Sequence, residues 1–241
     1  MAWIIAALSG TLLNAATVLV GATLGLLIGK RLPERIHESL FGVLGLFTLL
    51  IGLLDAFATK NPLVVLGALL LGVLVGEALD LEGRLNNFGD RVQKLLARPG
   101  SRVSEAFVTS SLVFCVGPLS ILGPLANGLS GDITDLAIKA VLDGFGAIAF
   151  AAALGWGVYL SIGVILLYQG AIALGAQVLA PVLGPHSPAV VELTATGGLI
   201  LVAIGLKLLK IRDLRVANLL PALFFAVLLA AALSFAPRLP F

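Results

Sequence analysis

Eight stretches of this chain are apolar enough to cross a lipid bilayer, and the basic residues cluster between alternate stretches. A helix needs about 20 apolar residues to span the hydrocarbon core. On that ruler, spans are expected near 6–29, 40–58, 62–79, 106–126, 135–156, 158–181, 189–207 and 215–236. The chain is 59% hydrophobic and 12% charged, with a mean hydropathy of +1.11; soluble domains carry roughly a quarter charged residues. The expected fold is therefore all-α, a polytopic bundle of about eight spans filling residues 1–241 as one transmembrane domain. Every ionisable or helix-breaking residue inside a span must be explained against lipid.

Charge distribution sets the sides. Lys30, Arg31 and Arg35 follow span 1; Arg84, Arg91, Lys94, Arg98 and Arg102 follow span 3; Lys207, Lys210, Arg212 and Arg215 separate spans 7 and 8. Eight crossings put these loops on one face, leaving Lys60, Lys139 and Arg238 for the other. The positive-inside rule makes the basic face cytoplasmic and both termini external. The N-terminus has no basic n-region and reads as the start of span 1, not as a cleaved signal. The uncharged join at Gly155–Gly157 is the weak point, and 135–181 could hold one or three crossings in place of two. Over 80–104, Leu81, Leu85, Phe88, Val92, Leu95 and Leu96 recur at helical spacing. That spacing predicts an amphipathic helix on the inner membrane surface, ended by Pro99-Gly100.

A shift of about 154 residues lays the first three spans on the last three. Gly45, Leu46, Ile51, Gly52 and Leu53 fall on Gly198, Leu199, Ile204, Gly205 and Leu206 at an offset of 153. Ala68, Gly72 and Gly76 fall on Ala222, Ala226 and Ala230, and Leu12, Leu13, Gly21 and Ala22 on Leu166, Leu167, Gly175 and Ala176, all at 154. The expected layout is repeat one at about 6–79, the surface helix 80–104, a central pair 106–156, and an inverted repeat two at about 158–236, as many secondary transporters are built. Chance likeness between apolar helices is the alternative. Stripes such as Gly21/Gly25/Gly29 allow close backbone approach, within one chain or across a homodimer.

Candidate chemistry lies in the middle. Span 4 contains Gly117-Pro118 and Gly123-Pro124, and two Gly-Pro steps predict a break or unwound turn. Irregular backbone at membrane depth is tolerated where protein or a watery cavity surrounds it. Freed groups at Gly117 and Pro118, with Ser120 beside them, are candidate ligands for an ion or solute. Asp143 is the acid placed deepest, eight residues beyond Asp135 and hence about 12 Å along a helix, with Lys139 its i−4 neighbour. A later start to span 5 would make Asp143 an interfacial cap instead. Asn14, well inside span 1, is the best of the uncharged candidates; Glu192, Thr194, Thr196 and Asn218 are weaker ones. Trp3, Trp156 and Tyr159 sit near span ends, as belt aromatics do.

Several chemistries have no support. There is no Walker A loop, HExxH or GxSxG elbow, so an enzyme is the reading of last resort. His37 and His186 fall in loops on opposite sides, and the single Cys115 builds no disulfide or thiolate cluster. No cofactor, metal or nucleic-acid partner is expected.

The strings GTLLNAATVLVGATLGLLIGKRLPER, LVFCVGPLSILGPLANGLSGD, KAVLDGFGAIAFAAALGWGV, TATGGLILVAIGLKLL and VANLLPALFFAVLLA resemble the bacterial inner-membrane family catalogued as domain of unknown function 554, over nearly the whole chain. The resemblance implies an integral cytoplasmic-membrane protein and carries no activity with it. From the residues, the leading expectation is a secondary transporter of a small solute or ion. Its site would lie between the repeats, with Asp143 binding a cation or carrying a proton, Gly117–Pro118 offering backbone groups, and Asn14 and Ser120 adding ligands. The rivals are an ion channel and a non-transporting scaffold or sensor acting through 80–104.

Overall fold

A computed structural model describes residues 2–29, 33–95, 103–115, 119–183 and 187–235. Among these there are eleven α-helices and no strand: α1 (Ala2–Gly29), α2 (Glu34–Ala56), α3 (Pro62–Ala78), α4 (Leu81–Leu95), α5 (Val103–Cys115), α6 (Leu119–Ser130), α7 (Thr134–Leu154), α8 (Leu160–Leu174), α9 (Ala176–Leu183), α10 (Pro188–Leu208) and α11 (Pro221–Phe235). Short 3₁₀ turns at Trp156–Tyr159 and Val216–Leu219 precede α8 and α11. Proline opens α3, α10 and α11, where its missing N–H costs nothing. Ser187 adds a cap to α10, its hydroxyl accepting from the Val190 N–H at 3.1 Å.

Six helical segments are long and apolar enough to cross a membrane: Ala6–Gly29, Glu38–Ala56, Thr134–Leu154, Trp156–Leu174, Pro188–Leu208 and Val216–Leu233. Two bent pairs bring the number to eight if each counts as one span: α3 with the start of α4, bent by 52°, and α5 with α6, bent by 60°. Large apolar side chains on α1, α2 and α3, among them Leu19, Leu27, Phe47, Leu50, Leu66 and Leu74, face outward, as a lipid solvent requires. Polar linkages tie each end of the bundle. At the end rich in basic residues, Lys207 Nζ meets Glu82 at 3.0 Å and Arg215 meets Glu77 at 3.0 Å. At the opposite end, Asn127 of α6 donates to the Ala6 carbonyl of α1 at 3.1 Å.

Glycine sets how closely the helices approach. Parallel helices α1 and α7 touch backbone to backbone, since a Cβ at Gly21 would strike the Gly144 carbonyl and one at Gly25 the Ile148 carbonyl. On α2 and α10, which run antiparallel, a Cβ at Gly52 would lie 2.7 Å from the Gly198 carbonyl, and one at Gly205 would lie 3.0 Å from that of Gly45. On α3 and α11, a Cβ at Gly72 would collide with Ala222. Close van der Waals packing of this kind is the main attraction between helices already in lipid.

Two expectations are corrected, for span 6 and for the Gly123-Pro124 step. Lys139 lies inside α7, within the bounds expected for span 5, and is 5% exposed. Span 6 is not one rod to 181: α8 ends at Leu174, and Gly175 separates it from α9. The Gly123-Pro124 step does not unwind the chain. Pro124 lies inside α6 and deprives only the first-turn carbonyl of Ser120 of a donor, which a short helix tolerates. At the Gly155–Gly157 join, where Gly155 takes φ +89°, the helix divides into the candidate spans Thr134–Leu154 and Trp156–Leu174, in line with the two spans expected over 135–181. The helix expected over 80–104 is present as α4 to Leu95, and its expected end at Pro99-Gly100 lies outside the described residues.

Candidate functional site

Helix α7 carries Lys139 and Asp143 one turn apart, so both side chains leave the same face. The Lys139 ammonium lies 3.1 Å from each carboxylate oxygen of Asp143. From α1, the Asn14 amide donates to Asp143 Oδ2 at 2.9 Å. Asn14 is fully buried and Asp143 is 5% exposed, and Asp143 lies near the middle of α7, not in a cap at its start. The glycine contacts of α1 with α7 make the bond possible, because side chains as short as Asn and Asp meet only where the backbones nearly touch.

The bent pair α5/α6 stands beside this cluster. Cys115, the last residue of α5, is near enough to feel the charges of Lys139 and Asp143. Ser120, in the first turn of α6, donates to the Phe114 carbonyl at 3.1 Å, so its hydroxyl spans the break. Gly117 and Pro118 lie outside the described residues. Asp143 and Asn14 are thus directly bonded, and Ser120 marks the neighbouring helix interruption.

The weaker candidates serve the ends of the bundle. Glu192 is buried, and its carboxylate accepts from Thr59 Oγ1 at 2.6 Å and from the backbone N–H groups of Lys60 and Asn61, each at 2.9 Å. It holds the turn between α2 and α3. Asn218 Oδ1 accepts from the Glu82 N–H at 2.8 Å, while Glu82 Oε2 accepts from the Ala217 N–H at 2.9 Å. Tyr159 shares a 2.8 Å hydrogen bond with Thr23. His186 and the side chains of Trp3 and His37 lie outside the described residues.

A cavity of about 750 Å³ opens between these elements at the basic end, lined among others by Glu82, Ser104, Glu105, Thr109, Lys207 and Arg215. One turn further along α5 it gives way to packed hydrocarbon: Leu112 and Phe114 with Phe150 of α7 and Ile200 of α10, all buried. Phe114 and Phe150 meet edge to face at a centroid distance of 5.9 Å. That aromatic layer separates the cavity from Asp143.

Sequence reasoning missed several buried polar atoms that have no hydrogen-bond partner: Thr11 Oγ1, Thr48 Oγ1, Ser111 Oγ and both amide atoms of Gln169; Asn14 Oδ1 and Thr196 Oγ1, on residues it did single out, are also without one. Such groups are costly in a low-dielectric interior, and each calls for an explanation. Gln169 carried a usable signal, as an amide inside an otherwise apolar span; Thr11 carried one too, three residues before Asn14. The aromatic layer carried none, since Phe is common in every span. Among the described residues no group of three or more His, Cys, Asp or Glu side chains converges.

Comparison with known proteins places the chain without naming an activity. The profile of a family described as "Protein of unknown function (DUF554)" matches residues 9–231. The chain is 35% identical over 228 residues to the uncharacterized protein YqgA of Escherichia coli (strain K12), covering 92% of this chain and 96% of that protein. It is 31% identical over 219 residues to the uncharacterized membrane protein YdfK of Bacillus subtilis (strain 168), covering 89% and 92%. No solved structure matches.

Proposed function

Since this chain belongs to the DUF554 family of proteins of unknown function, its activity must be argued from its own site, and we propose that it is a secondary transporter of a small solute or ion. The site in this reading is the Asp143 cluster beside the α5/α6 break. The observation that carries it is the bonded trio Lys139–Asp143–Asn14, buried in the middle of an apolar bundle. A carboxylate at that depth costs at least about 2.5 kcal/mol even on lenient insertion scales, and such groups typically mark ion or substrate pathways.

Three further features support the reading. The α5/α6 pair is bent by 60° next to the acid, the interrupted-helix arrangement from which transporter sites are made. The helices paired by the sequence offset also pack against each other, α2 on α10 and α3 on α11, both antiparallel, as expected of repeats related by a two-fold axis in the membrane plane. A polar cavity reaches inward from one end and stops at the Phe114–Phe150 layer. A smaller cavity of about 270 Å³ opens at the opposite end, lined among others by Lys60, Asn61 and Glu192, and neither cavity is lined by Asp143, so no open pore runs through the site. By the positive-inside rule the basic end faces the cytoplasm, and the membrane is the bacterial inner membrane.

The test is flux. Purified protein in liposomes, screened against panels of radiolabelled ions and solutes, moves at least one of them, and Asp143→Asn abolishes movement while the variant still elutes as a folded monodisperse species. Conductance far above a transporter's turnover would convert the reading to a channel. Full function in Asp143→Asn would point to a scaffold working through another surface.

A further inference from the structure

The unpartnered oxygens around Asp143 narrow what this site can hold. Asn14 uses its Nδ2 to donate to Asp143 Oδ2 at 2.9 Å. The carboxylate accepts only, so the amide's orientation is fixed and Oδ1 is the atom left over. That oxygen is wholly buried and has no hydrogen-bond partner, although it lies on the same small amide group that touches the acid. One turn earlier on the same face of α1, Thr11 is 1% exposed and its Oγ1 is also without a partner. Two buried oxygens one turn apart on α1 are therefore left without a donor, one of them on the amide that is bonded to the Asp143 carboxylate.

Charge points the same way. Lys139 is the cation of the cluster, but it has two acidic neighbours: Asp143 at 3.1 Å, and Asp55 near the end of α2, close enough to interact with its charge. With both carboxylates ionised, one ammonium beside two acids leaves a residual charge of −1 in a medium that screens poorly. A bound monovalent cation would neutralise it.

Close packing and burial disfavour organic cations. The α1 and α7 backbones touch at Gly21 and Gly144, and Asn14, Lys139 and Asp143 are each no more than 5% exposed. A cation that reaches these groups must shed most of its water, because water has so little access to them. Hard oxygen ligands of the carboxylate, amide and hydroxyl type suit alkali and alkaline-earth ions over softer metals, and a residual charge of −1 suits a monovalent one. We propose that Asn14 Oδ1, Thr11 Oγ1 and the Asp143 carboxylate form a binding site for a dehydrated alkali-metal cation of sodium size, which serves as the coupling or transported ion. The inference rests on the transport reading for its role, but not for the binding itself.

Binding is therefore measured apart from flux. Purified full-length protein in detergent is melted in NaCl, KCl and choline chloride at equal ionic strength, and Na⁺ affinity is taken from the titration. Sodium at a hundred times its Kd raises Tm by about 5 °C over choline, potassium does less, and Asn14→Ala weakens the affinity at least about tenfold. Thr11→Val, nearly isosteric, also weakens it and guards against misfolding of the first variant. Glu192→Gln, at the far turn, leaves it unchanged. Equal melting in all three salts overturns the proposal, as does stabilisation by acid alone, which would make the site a proton carrier. Flux without sodium binding leaves the transporter standing and removes this inference; sodium binding in a protein that moves nothing does the reverse.

Discussion

Lys139 and Asp143 offer the sharpest energetic test. With Nζ 3.1 Å from both carboxylate oxygens, the direct attraction is about 5 kcal/mol at an effective dielectric of 20. Desolvating two charges cancels much of that, so the pair as a whole contributes little net stability. Breaking it is another matter. Lys139→Met leaves the carboxylate buried with only the Asn14 amide beside it, and removing one partner of a buried pair costs about 3–5 kcal/mol. For a chain of this size, that is a fall in Tm of about 10 °C. Combining Lys139→Met with Asp143→Asn removes both charges and keeps a hydrogen bond available to Asn14, so most of the lost stability returns. The assay is a double-mutant cycle on detergent-purified protein, followed by intrinsic fluorescence or a thiol-reactive melt on Cys115. Additive losses in the double variant, or an unchanged Tm in Lys139→Met, would show that the two groups are not coupled and that the cluster does not exist as described.

Other consequences are quicker to check. Gly21→Val wedges α1 from α7 at the Gly144 carbonyl and lowers Tm by several degrees, whereas Gly163→Ala, whose new Cβ meets nothing within 4 Å, is neutral or slightly stabilising in the same melt. Phe114→Ala opens the aromatic layer between cavity and acid, and liposomes carrying it leak ions without substrate. In a Cys115→Ser background, Lys60→Cys reacts with an impermeant maleimide from outside the cell and Lys210→Cys only after permeabilisation; the opposite pattern would invert the topology.

Much of this architecture is legible in the sequence because lipid imposes simple rules. Length and hydropathy locate the spans to within a few residues, and the Gly117-Pro118 step announces the α5/α6 interruption. The i, i+4 spacing of Lys139 and Asp143 foretells their pairing, since it depends on one helix alone. Partnerships between helices are different. That Asn14 reaches Asp143, or that Glu192 holds the 59–61 turn, follows from which helices touch, and a single sequence does not state this. Pro124 misled for a related reason: a Gly-Pro step breaks a long helix but is absorbed near the start of a short one. The division at Gly175 went unseen because apolar sequence runs straight through it to Leu179 and beyond.

The central claim is that Asp143 borders an ion-holding space beside an interrupted helix at mid-membrane. A density map in lipid nanodiscs, recorded with and without sodium, tests it most directly. The account requires ordered water or ion density against Asn14 and Asp143, lying at the depth of the α5/α6 bend. A straight helix through 103–130, with hydrocarbon packed against Asn14 and the acid drawn out to the headgroups, would contradict it.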